Sequence, residues 1–172
     1  IRDRLSIVQN AVLGGFQVDL SASGDQVTTY NGAANTAVQS GFENVDLSNV
    51  SGGFGASITA ISTGSVVTGT LNADVITGGA GTDTLSGGAG GDTITGGSGA
   101  ATINGNDGTD TITAGAGGDQ VEGVDELTTL NVLGGNSLST FTLGGSATGT
   151  TDLIGVSTIS AINAGTFGGN VV

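Results

Sequence analysis

The chain contains no cysteine, histidine, lysine, methionine, tryptophan or proline. Without Cys or His there is no ordinary zinc or copper site, and no Ser-His-Asp or Cys-His nucleophilic machinery. Without Lys there is no Schiff base and no P-loop lysine. Aromatic residues are limited to Tyr30 and five Phe, too few for a thick globular core. No run of about 18 apolar residues is present, so no segment reads as a membrane-spanning helix. The chain opens on Ile rather than Met, which reads as a processed or excised product. Absence of proline separates the 35 glycines from a collagen-like or Pro-rich chain.

Positive charge is the other scarcity. Only Arg2 and Arg4 oppose fifteen acids, a net charge of −13. Nucleic acid and anionic membrane are bound through Lys and Arg, so neither is expected as a partner. Cations are. The remaining apolar residues are mostly Val, Ile and Leu, which suits a thin core of stacked aliphatic side chains.

From Gly69 the chain divides into nines without insertion: GTLNADVIT, GGAGTDTLS, GGAGGDTIT, GGSGAATIN, GNDGTDTIT and AGAGGDQVE. The sixth position reads Asp74, Asp83, Asp92, Ala101, Asp110, Asp119. The eighth reads Ile76, Leu85, Ile94, Ile103, Ile112, Val121. Asp makes up only 12 of 172 residues, so five on one register are not chance. Self-similarity at a fixed short period is the mark of a repeat architecture. Positions seven to nine form a short strand whose central aliphatic points inward. Positions one to six form a turn rich in glycine because the backbone there enters positive φ; Asn72 and Asn106 are tolerant substitutes, whereas Thr70 and Leu71 have no such explanation.

One strand and one turn reverse the chain, so two units make one coil and residues eighteen apart stack as parallel neighbours, roughly 4.8 Å from each other. Asp74, Asp92 and Asp110 then line one edge; Asp83 and Asp119 line the other, with Ala101 between them. Such columns repel themselves and call for a counter-ion. Calcium, which takes six to eight hard oxygens in flexible geometry, suits carboxylates beside glycine-rich turns better than magnesium does.

The segments GGAGTDTLS and GGAGGDTIT resemble the RTX (repeats-in-toxin) nonapeptide, GGxGxD followed by an aliphatic residue. The resemblance spans about a third of the chain. It implies a right-handed parallel β-roll with several Ca2+ ions between successive turns, in a secreted or surface bacterial protein. By position it makes Asp74, Asp83, Asp92, Asp110 and Asp119 the carboxylate ligands. Carbonyl ligands would come from the turns, at Gly78 and Ala80, at Gly87, Gly88, Ala89 and Gly90, and at Gly105 and Asp107. Ala101 departs from the pattern and should weaken the sites it shares with Asp83 and Asp119.

The expected architecture is all-β: a β-rich cap over 1–68 with a short helix in 1–14, where Ile1, Leu5, Val8 and Val12 recur at threes and fours; the β-roll over 69–122; and a second β-rich cap over 123–172. Strands are expected at Phe16–Leu20 and 42–50 and in short runs near Ile58, Val66, Leu130–Val132, Phe141–Leu143 and Leu153–Ile162, since a solenoid needs ends that cover its open edges. The expected function is non-enzymatic: a calcium-dependent structural unit of an extracellular or cell-surface bacterial assembly, a surface layer, filament or adhesin, that self-associates. The alternative is a calcium-triggered folding and secretion module of a type I-exported enzyme or toxin. A ladder of outward threonines at Thr84, Thr93, Thr102 and Thr111 is a third, weaker candidate feature.

Overall fold

The computed structural model describes residues 3–9, 14–50, 52–115 and 117–124, and beyond these only strand segments at 129–131, 137–143, 150–151, 158–159, 162–164 and 170–171. All its regular elements are strands. In chain order they are β1 (Arg4–Gln9), β2 (Phe16–Asp19), β3 (Val27–Tyr30), β4 (Ala33–Ala34), β5 (Asn44–Val50), β6 (Ala56–Thr59), β7 (Val66–Thr68), β8 (Val75–Thr77), β9 (Asp83–Ala89), β10 (Thr93–Thr95), β11 (Ala101–Asp107), β12 (Thr111–Thr113), β13 (Asp119–Val124), β14 (Thr129–Asn131), β15 (Ser137–Leu143), β16 (Thr150–Thr151), β17 (Thr158–Ile159), β18 (Ile162–Ala164) and β19 (Asn170–Val171). The helix expected near the N-terminus is not formed over the described part of 1–14. Residues 4–9 are β1, paired in parallel with β5 through Leu5 and Val45. The apolar spacing there was compatible with either period over so short a run, and the available strand edge decided it.

One sheet stacks as β1-β5-β7-β9-β11-β13-β15, and the facing sheet as β14-β12-β10-β8-β6-β2-β3-β4. Parallel stacking puts Ile58, Ile76, Ile94, Ile112 and Leu130 in one file. It puts Val45, Val67, Leu85, Ile103 and Val121 in the other. The described side chains of both files are buried, each contributing about 1.5–3 kcal/mol of apolar burial. The core is therefore a double row of aliphatics between two sheets, and a β-solenoid results. The eighteen-residue step within 69–122 is as expected from the nonapeptide.

The step lengthens toward the N-terminus. Asn44 Oδ1 accepts the Val66 N–H across 22 residues, and β2 meets β6 with Val18 beside Ile58. The extra chain, residues 21–43, folds back as β3 and β4, and β3 pairs antiparallel with β2. It covers one edge that stacking would leave open. Gln26, 3% exposed, ties this excursion down: its amide nitrogen donates to the Leu20 and Phe42 carbonyls, each at 2.9 Å, and its amide oxygen accepts the Phe42 N–H at 2.8 Å. Phe16 and Leu20 fill the core beneath, with the Phe16 and Tyr30 rings edge to face at 5.4 Å.

The threonines do not form a single ladder. Thr84 and Thr102 are partners in one sheet, Thr93 and Thr111 in the other. They face opposite sides of the solenoid.

Candidate calcium-binding edges

The two sheets meet at two edges, and each edge carries one file of sixth-position residues. The turns 69–74, 87–92 and 105–110 bring Asp74, Asp92 and Asp110 to the first edge. The turns 78–83 and 96–101 bring Asp83 and Ala101 to the second, and Asp119 joins them at the start of β13. All five carboxylates are at most 1% exposed. The inward turn is forced by alternation: the eighth residue enters the core, so the sixth does too.

Each carboxylate serves the coil before it. Asp92 Oδ1 accepts the Asp74 N–H at 2.8 Å, and Asp110 Oδ1 accepts the Asp92 N–H at 2.9 Å. The same bond joins Asp74 to Ala56 N at 2.5 Å, Asp83 to Ser65 N at 2.7 Å and Asp119 to Ala101 N at 2.8 Å. Ala101 cannot do this for Asp83, whose N–H donates instead to the Ala100 carbonyl at 3.0 Å. A carboxylate in this file is thus a backbone acceptor as well as a charge.

The second carboxylate oxygen is where the sites differ. Asp92 Oδ2 is buried and has no hydrogen-bond partner. It faces the first glycine of its turn. A Cβ at Gly87 would lie 2.7 Å from the Gly105 carbonyl oxygen and closer still to Asp92 Oδ2. At Gly78 a Cβ would lie 3.1 Å from Asp83 Oδ2 and closer to the Gly96 carbonyl. The absent side chain at the first position therefore leaves a space into which a carboxylate oxygen and a carbonyl oxygen of the next coil both point.

Burial without a cation is expensive. The Asp92 carboxyl is pushed up to about 7, first by desolvation and then by repulsion from Asp74 and Asp110, against the lowering effect of the Asp74 N–H bond. Desolvation likewise raises Asp74 and Asp119, opposed at Asp74 by bonds from Thr70 and Ala56, and at Asp119 by the bond from Ala101. Asp74, Asp92 and Asp119 are poised either to hold protons or to hold metal.

The donor set fits calcium. At Gly69, Gly78, Gly87 and Gly105 the nearest groups facing the gap are carboxylate or carbonyl oxygens, whereas at Gly96 the Ile103 methyl comes nearest; an orphaned buried carboxylate oxygen is a direct demand for a cation. Among the described residues no three acidic side chains converge on one point, so an ion here must take much of its shell from carbonyls. Gly78 is buried in the turn before β9, with Ala80 exposed beside it; Gly87, Gly88 and Ala89 end β9, and Gly90 opens the following turn. Gly105 and Asp107 lie at the end of β11, where Asp107 is exposed and its carbonyl accepts the Gly90 N–H at 2.9 Å. That carbonyl is engaged in the ladder rather than turned to the gap alone. Gly88 and Asn106, at the second turn position, have φ of 110° and 62°, as their residue types suggested. Asn72 is not in that region; its N–H donates to the Thr70 hydroxyl at 3.0 Å and its amide nitrogen to the Phe54 carbonyl at 3.3 Å.

Two features escaped the sequence reading. The nonapeptide frame continues upstream through 51–68, with Ala56 and Ser65 in the sixth position and Ile58 and Val67 in the eighth. The string GGFGASIT carries that signal, but with Ala56 where the later repeats have aspartate. The other is Thr70, fully buried, whose N–H donates to Asp74 Oδ2 at 2.6 Å and whose hydroxyl lies 3.0 Å from Asp74 Oδ1.

Residues 68–103 and 87–121 match the family model of the RTX calcium-binding nonapeptide repeat. No curated protein and no solved structure matches the chain. The matched stretch coincides with the buried carboxylate files, and this segment is a calcium-binding β-roll. Among the described residues no helix is long and apolar enough to cross a membrane.

Proposed function

We propose that this protein is a calcium-dependent structural unit of an extracellular bacterial assembly, a surface layer, filament or adhesin, and that it is not an enzyme. One observation carries the reading: the two sheets run from β1 to β15 through the calcium-binding segment, so the roll is the middle of a continuous rod. A rod of stacked coils suits end-to-end association, a heterologous contact that does not close. The missing catalytic residue types and the −13 charge agree with it.

The mechanism is coupled folding. At low calcium the buried carboxylates oppose coil formation through desolvation and mutual repulsion. A bound calcium ion supplies the positive charge and the demand for oxygen ligands that those groups lack. Asp92 and its neighbours orient their oxygens into the gaps, the first-position glycines keep the gaps open, and the aliphatic files exclude water. Binding free energy then becomes folding free energy.

Sedimentation and electron microscopy of the protein in calcium and in chelator test this: calcium-dependent polymers are expected, and a monomer at high concentration in calcium refutes the assembly role. The second reading, a folding and secretion module of a type I-exported enzyme or toxin, draws on the confinement of the family match to residues 68–121. A calcium-folded monomer is its expected outcome.

A further inference from the structure

The aspartates are equally buried but unequally satisfied. A carboxylate offers about four lone-pair sites. Asp74 receives three donors from the protein: Ala56 N at 2.5 Å, Thr70 N at 2.6 Å, and the Thr70 hydroxyl at 3.0 Å from Oδ1 and 3.2 Å from Oδ2. Asp83 receives the Ser65 N–H at 2.7 Å and the Gly79 N–H at 2.7 Å. Asp92 receives the Asp74 N–H at 2.8 Å, and its Oδ2 receives nothing. The protein itself supplies three donors to Asp74, two to Asp83 and one to Asp92.

The backbone N–H of the second turn position reaches the carboxylate at Thr70 and Gly79 but not at Gly88, and one further donor depends on residue type. The second turn position holds Gly79, Gly88, Gly97, Asn106 and Gly115 in the later repeats but Thr70 in the first. Only Thr brings a hydroxyl to the carboxylate. Upstream of Asp74 the frame carries Ala56 and Ser65, and among the described residues of the coils beneath no charged side chain is buried. Those coils are closed independently, by Gln26 and by the Phe16 and Leu20 core.

We propose that Asp74 is a metal-independent end of its file, in which Thr70 does for Asp74 what a cation must do for Asp92. The coils up to β8 then form without calcium and act as the template on which calcium orders the repeats from residue 87 onward. Stacked repeats depend on their neighbours, so a stable end lets order propagate in one direction. This rests on the coupled folding proposed above.

Hydrogen exchange of the full chain in chelator and across a calcium titration tests it. Amides of 44–77 are expected to be protected in chelator, and those of 87–121 only once calcium is added. Simultaneous gain of protection by both segments at one calcium concentration overturns the template while leaving coupled folding intact. Full protection of both in chelator overturns coupled folding itself, and the template with it. Thr70→Val should lower protection of 70–77 in chelator on the order of tenfold to a hundredfold, as loss of a hydrogen bond to a charged group does. Thr70→Ser should keep it. Equal protection in Thr70→Val and wild type refutes the hydroxyl's part.

Discussion

Replacing Asp92 by asparagine should move the metal-free and calcium-loaded proteins in opposite directions. Asparagine keeps an oxygen to accept the Asp74 N–H now held at 2.8 Å. Its NH2 takes the place of the orphaned Oδ2, beside the Gly105 carbonyl. What disappears is the charge. The Asp92 carboxyl stands at about 7 in the folded coil against 3.8 when unburied, a difference of about 4 kcal/mol. A folded value above the unfolded one means that the neutral form contributes stability below pH 3.8, and that this is lost as pH rises toward 7. Above pH 7 the wild-type coil without metal therefore carries nearly the whole penalty, and Asp92→Asn removes it. In chelator at that pH, urea unfolding followed by far-UV circular dichroism should show the variant more β-rich and more stable, by up to about 4 kcal/mol. In calcium it should lose part of the metal-dependent gain, because a charged ligand is gone. Below pH 3.8 the two proteins should unfold alike. A variant less stable than wild type in neutral chelator would show that Asp92 serves the fold through its hydrogen bonds alone, and would falsify the idea that its buried charge holds back folding until metal arrives.

The same sign governs the wild type without metal: β structure should increase on acidification from pH 7 toward 4, read by circular dichroism, and calcium addition near neutrality should release protons, measurable in weakly buffered solution. Ala101→Asp should complete the second file, raising calcium stoichiometry by isothermal titration while lowering stability in chelator; unchanged stoichiometry counts against the file as a binding edge. Gly87→Ala sets a Cβ 2.7 Å from the Gly105 carbonyl and closer to Asp92 Oδ2. It should cost about 1–3 kcal/mol as overpacking and weaken calcium binding together with it, whereas Gly118→Ala, with open space around its Cβ, should leave calcium affinity unchanged.

The central coils were legible because two independent periods coincide in them. Ile76, Ile94 and Ile112 fix which face is inside, and Asp74, Asp92 and Asp110 fix where the turns come, so no other register buries both sets sensibly. Residues 1–50 lack that redundancy. Leu5 and Val8 fit a helix as well as a strand, and β1 is decided by pairing with β5, which lies far along the chain. The excursion through β3 and β4 was illegible for the same reason: Gln26 reads as one more polar residue until its amide meets Leu20 and Phe42. At the edges the sequence named the carboxylates and, through Ala101, the interrupted file, but not how differently the protein itself satisfies Asp74 and Asp92 within the complete one. The structure distinguishes them by what lies at the second turn position and in the neighbouring coil, and neither is visible in a motif that looks only along one repeat. Thr70 is a departure from the glycine pattern and so read as a flaw in the first repeat. Against Asp74 it is the group that ends the file, and the strength of a repeat's claim on calcium is then set by its departures from the repeat as much as by its agreement with it.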